Sequence, residues 1–94
     1  MAQNFKQVHL IISGRVQGVF FRSNTKNQAD KLGLTGWIRN LPAGKVEVKA
    51  CGPEENLKKF IEWCKKGSAL AKVEEVKVGW GQPSEFFATF EIIY

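Results

Sequence analysis

The strongest periodic signal in the chain is Leu57, Phe60, Ile61 and Cys64, apolar residues at i, i+3, i+4 and i+7. That spacing places all four on one face of a helix, and a helix with a single apolar stripe needs another element to cover it. The ends of the helix are marked. Gly52-Pro53-Glu54-Glu55 puts Pro at the first helical position and acids in the first turn, and Gly67 stops it. With 94 residues there is room for one core, so residues 1–94 are expected to form a single domain.

What covers the stripe is a sheet. Val8, Leu10 and Ile12 alternate with His9, Ile11 and Ser13, the period of a strand. Gly14 to Gly18 reads as a turn. Phe21, Thr25, Ala29 and Leu32 then fall at helical spacing, with Gly33 as the stop. Thr35 to Arg39 is a short strand, with Asn40 at its end. It turns through Leu41-Pro42-Ala43-Gly44 into Val46, Val48 and Ala50, giving a hairpin. After the second helix, Val76, Val78 and Trp80 alternate in a fourth strand, and Phe86 to Tyr94 reads as a last one. The order is β-α-β-β-α-β plus an extra C-terminal strand. This is the α+β, ferredoxin-like split β-α-β sandwich, with two helices on one face of a mostly antiparallel sheet.

That arrangement decides the cysteines. Cys64 lies on the helix stripe, whereas Cys51 lies on the opposite side of its strand from Val46, Val48 and Ala50. Thiols on opposite faces of a sheet cannot meet bridge geometry, so both are expected free. Met1 to Lys6 is too polar for the core of a secretion signal, and no apolar run is long enough to span a bilayer. The expected compartment is the cytoplasm, with no membrane partner.

Fourteen basic against nine acidic residues give a net charge of +5, which favours an anionic partner. The arginines, Arg15, Arg22 and Arg39, all lie in the first half. Two of them belong to the densest unusual stretch, Gly14-Arg15-Val16-Gln17-Gly18-Val19-Phe20-Phe21-Arg22, between the first strand and the first helix. Glycines let successive backbone N–H groups turn inward, the helix N-terminus adds its dipole, and Arg22 offers a planar two-pronged donor. The stretch is either an oxyanion cradle or an ordinary strand–turn–helix junction with Arg22 paired to a surface acid. Asn40 is either a turn former or a side chain aimed at that loop, because the two strands of a split β-α-β unit run parallel and end together.

Taken with Gly36-Trp37-Ile38-Arg39-Asn40, the nine-residue stretch resembles the paired signatures of the acylphosphatase family at their expected separation. The likeness continues through Thr25, Ala29, Leu32-Gly33-Leu34, Gly44, Val46, Gly52-Pro53, Phe90, Ile92 and Tyr94, nearly the whole chain. It departs at Ala43, where an acidic or polar residue is frequent, and at Asn24, where an aromatic is frequent. The resemblance implies that Arg22 binds the substrate phosphate and Asn40 orients water. The backbone amides of Arg15, Val16, Gln17, Gly18, Val19, Phe20, Phe21 and Arg22 would form the phosphate cradle. The implied reaction is hydrolysis of a small-molecule acyl phosphate to a carboxylate and inorganic phosphate, without metal or other cofactor. The product phosphate would act as a competitive inhibitor and the enzyme as a monomer.

The chemistry needs few groups. The leaving carboxylate has a conjugate acid of pKa about 4, so no general acid is required at neutral pH. What remains is to hold three phosphoryl oxygens, balance their charge and place a water in line. No cysteine-phosphatase loop surrounds Cys51, His9 is expected as scaffold, and Asp30 is the only aspartate, so no nucleophile or metal cluster is visible. The alternatives are an RNA-binding module with the same element order and the amino-terminal domain of a larger carbamoyl-transfer maturation factor. The first needs aromatics on the two central strands, and the third strand has none, so nucleic acid is not an expected partner. Against the second, the finished strand at Tyr94 favours a standalone enzyme.

Overall fold

A computed structural model describes residues 4–94, so the polar start of the chain lies partly outside the described residues. The elements are β1 (Phe5–Arg15), α1 (Phe21–Lys31), β2 (Thr35–Asn40), β3 (Val46–Pro53), α2 (Glu54–Lys66), β4 (Lys72–Gly81) and β5 (Phe90–Ile93). A 3₁₀ turn, Pro42–Gly44, joins β2 to β3. The strands form one sheet in the order β4-β1-β3-β2-β5, antiparallel except for the β2–β5 pair.

The α2 stripe does what its spacing predicts. Leu57, Phe60, Ile61 and Cys64 are buried against Val8, Leu10 and Ile12 of β1 and Val46, Val48 and Ala50 of β3. Each such large apolar side chain stabilises the fold by about 1.5–3 kcal/mol. Phe60 meets Phe90 edge-on at 6.1 Å, and Phe21 of α1 stacks on Trp63 of α2 at 5.9 Å. Both cysteines are buried and free. Burial pushes the thiols of Cys64 and Cys51 above their ordinary range, which keeps them neutral.

Three boundaries differ from the sequence reading. β1 runs from Phe5 through Arg15, so most of the expected Gly14–Gly18 turn begins later. Pro53 caps α2 rather than starting it, because β3 continues to Pro53, opposite Phe5. β4 occupies an edge of the sheet, leaving Val78 and Trp80 well exposed. The last strand begins only at Phe90. β4 and β5 lie at opposite edges, so the chain between them must cross the helix-free face of the sheet. There Ser84 donates to Gln7 Oε1, and Lys49 reaches Glu85 at 3.3 Å. Phe86 is left almost fully exposed. No helix among the described residues is long and apolar enough to cross a membrane.

His9, expected as scaffold, is hydrogen-bonded to Glu47 at 2.6 Å, and Glu47 also accepts from Arg39 Nε at 2.7 Å. One carboxylate thus ties β1, β3 and β2 together beside Asn40. Burial raises the Glu47 pKa, but the hydrogen bonds and charges of His9 and Arg39 outweigh it, and the net shift is downward from 4.5. A depressed carboxylate stabilises the fold above its unfolded pKa and loses that contribution as pH falls through the folded one. Glu47→Gln should therefore be less stable than the parent at pH 7, and the gap should close as pH drops below 4.5. Urea unfolding at several pH values measures this; a gap independent of pH would assign the effect to packing.

Candidate active site

β1 and β2 both run antiparallel to β3, so they are parallel to each other, and β5 is parallel to β2. The C-terminal ends of all three strands therefore meet at one edge of the sheet. Val46 pairs with Ile12 on one side and Asn40 on the other. Asn40 thus sits in the row where the chain is about to leave β1, exposed at the end of its strand. Arg39 is in register with Ile93, which places Tyr94 at the same edge.

The exit from β1 is a bulge. The β1–β4 register shifts between Ser13 and Gly14, and Gly14 has φ 125. A Cβ there would lie 2.1 Å from the carbonyl oxygen of Lys72, so only glycine fits. Arg15, proposed from sequence as part of the cradle, still belongs to the ladder opposite Lys72. The loop proper is Val16 to Phe20. Val16 is buried and anchors it, Val19 packs partly against the core, and Gly18 and Phe20 take left-handed φ values of 71 and 60.

α1 begins at Phe21 with no side-chain cap and no acid in its first turn. Its first backbone bond is Asn24 N–H to Phe20 C=O at 3.0 Å, so the preceding N–H groups have no acceptor within the helix. Arg22 sits in this first turn, where a cation opposes the helix dipole by about 0.3–1 kcal/mol. No carboxylate among the described residues lies within ion-pair distance of it. Its guanidinium carbon instead lies 4.9 Å from the centre of the Tyr94 ring. Positive dipole and unpaired guanidinium are thus concentrated at one spot, an arrangement that an anion relieves.

That spot is concave. A cavity of about 230 Å³ is lined by Val16, Gly18, Phe20, Phe21, Arg22, Ser23, Ile92 and Tyr94. It takes in five of the sequence-proposed residues; Arg15, Gln17, Val19 and Asn40 do not line it. A larger groove of about 500 Å³, between Lys6, Lys58 and Trp80, lies away from this edge and contains none of the motif residues. No group of three or more His, Cys, Asp or Glu that could hold a metal ion occurs among the described residues.

The family model described as Acylphosphatase matches residues 8–92. The chain belongs to the acylphosphatase family. An acylphosphatase of Pelotomaculum thermopropionicum is 43% identical over 88 residues, covering 94% of this chain and 96% of the relative. One from Marinobacter nauticus is 53% identical over 68 residues, covering 72% and 74%. The crystal structure of acylphosphatase from Bacillus subtilis superposes with a TM-score of 0.91 at 42% identity, over 95% of this chain and 99% of that one. A structure of full-length HypF matches with a TM-score of 0.90 at 27% identity, over all of this chain but only 12% of that one.

Three features of this candidate site escaped the sequence reading. Ile92 and Tyr94 join the cavity because β5 lies beside β2, and local patterning carries no signal for which edge a last strand takes. Ser23 follows Arg22 into the first turn. The Gln17 side chain bonds two carbonyls of the β2–β3 turn, 24 and 28 residues away, a contact no periodicity encodes. Phe20 is the strained element. It is 73% exposed, so little packing offsets a left-handed φ that costs a non-glycine residue about 1–2 kcal/mol. Phe20→Asn should raise thermal stability by about 0.5–1 kcal/mol, because Asn tolerates that conformation. A lower melting temperature would show that the phenyl ring stabilises the loop.

Proposed function

We propose that this member of the acylphosphatase family hydrolyses the carboxyl–phosphate bond of a small-molecule acyl phosphate by in-line attack of a water. The observation that carries the mechanism is the unpaired Arg22 in an uncapped helix N-terminus, at the sheet edge where Asn40 also ends its strand. The amides of the Val16–Arg22 stretch and the Arg22 guanidinium hold the phosphoryl oxygens and balance their charge. Asn40 orients the water on the face opposite the leaving carboxylate. The O–P bond to water forms as the P–O bond to the acyl group breaks, and the carboxylate departs without protonation. Asn40 is not a base, so the proton of the water passes to a phosphoryl oxygen.

Inorganic phosphate, the product, would occupy the same cradle and inhibit competitively. The domain reading, residues 1–94 as a single acylphosphatase-like domain, is supported by a relative matched over 94% of this chain and 96% of its own length. β3 at the centre of the sheet carries no aromatic, which argues against RNA as the partner.

Benzoyl phosphate, with a phosphate monoester as control, is the direct assay. Asn40→Ala should lose about 10²–10³ in kcat while remaining folded and still stabilised by phosphate, since its contact is made chiefly in the transition state. Arg22→Ala should be inactive and should also lose phosphate stabilisation, which in the parent is about 1.4 kcal/mol at tenfold the dissociation constant. Arg22→Lys keeps the charge without the planar fork and should lose most of both effects. Turnover and phosphate-dependent melting of the variants decide the assignment. A stable, active Asn40→Ala protein would make Asn40 a turn former only.

A further inference from the structure

The two halves of the site come from separate segments: the phosphate loop leaves β1, and Asn40 ends β2. Among the described residues, the side chain of Gln17 links the loop to the turn that follows Asn40. Gln17 Nε2 donates to the carbonyl oxygen of Leu41 at 2.8 Å and to that of Lys45 at 2.8 Å. A primary amide has two N–H donors, so both are used. The two carbonyls bracket the Pro42–Gly44 turn, whose neck is closed by Leu41 N–H donating to Lys45 C=O at 2.8 Å.

The turn has reason to need a tether. Ala43 holds a left-handed φ of 68, and every residue from Pro42 to Lys45 is exposed, so little packing fixes the turn. Asn40 directly precedes it and is itself exposed, with no side-chain hydrogen bond to aim it among the described contacts. Its aim therefore depends on the backbone that follows.

We propose that Gln17 is a positioning residue: its amide clamps the turn after Asn40 to the phosphate loop and so sets the distance between the attacking water and the bound phosphoryl group. This rests on the role assigned to Asn40 above. The clamp places the neutral amide of Gln17 outside the cavity, facing the turn, while its backbone N–H remains with the loop. In-line attack is steeply sensitive to such placement, a misplacement of about 1 Å costing about 10²-fold. Phosphate binding in the ground state depends on the loop and Arg22, not on the turn.

The test uses Gln17→Met, which keeps side-chain length and removes both donors. Its kcat on benzoyl phosphate should fall about 10–100-fold, with the inhibition constant of inorganic phosphate held within about twofold. In an Asn40→Ala background the same change should cost no further rate, because the group it positions is gone. Gln17→Asn keeps the amide but is one methylene too short to span the gap; it should reproduce the pattern and serves if the methionine variant does not fold. Unchanged kcat overturns the clamp. So does phosphate affinity falling in step with kcat, or a full additive loss in the Asn40→Ala background. An Asn40→Ala protein with full turnover removes both Asn40 and the clamp from the chemistry, whereas an inactive Asn40→Ala beside a fully active Gln17→Met removes the clamp alone.

Discussion

β3 is hydrogen-bonded on both sides, and its register determines where everything else can be. With Val46 opposite Ile12 and Asn40 at once, the end of β2 is locked level with Ile12, among the last residues of β1 before its chain exits at Arg15. A slip of one residue would turn Val46, Val48 and Ala50 away from the helices. The apolar stripe of α2 forbids that slip, since Leu57, Phe60, Ile61 and Cys64 are covered only in the observed register. The same burial that holds the domain together therefore also places the residue read as orienting water beside the loop read as holding phosphate.

Around that frame the site is assembled from features that local stability disfavours. A non-glycine residue takes a left-handed conformation at the head of α1, a cation occupies the turn where an anion is preferred, and no side chain caps the exposed N–H groups. Each costs the free protein something of order 1 kcal/mol or less to 2. The cation and the uncapped N–H groups both favour a negative charge at this spot. Their coincidence at one cavity of about 230 Å³ is a stronger sign of anion chemistry than either alone. The contrast with the scaffold is plain at Glu47, where His9 and Arg39 satisfy the carboxylate and leave nothing for a ligand.

Similarity to acylphosphatases agrees with this physical reading and sharpens it. The family match runs from β1 to β5, so it includes both the loop and the strand that ends in Asn40. The larger HypF chain carries the same fold over 12% of its length.

The element order, the helix-facing sets of β1, β3 and α2, the separation of the two cysteines, and the loop and strand end that carry the motifs are legible in the residues alone. These follow from period, glycine position and residue type, which act over a few neighbours. The tertiary structure alone decided that Arg15 stays in the ladder, that the last strand begins at Phe90, that Ile92 and Tyr94 complete the cavity, and that Gln17 reaches the Leu41 and Lys45 carbonyls. Each depends on which strand lies beside which, and on hydrogen bonds between segments distant in sequence. Such pairings are selected by the burial of the whole core, so no local pattern can specify them.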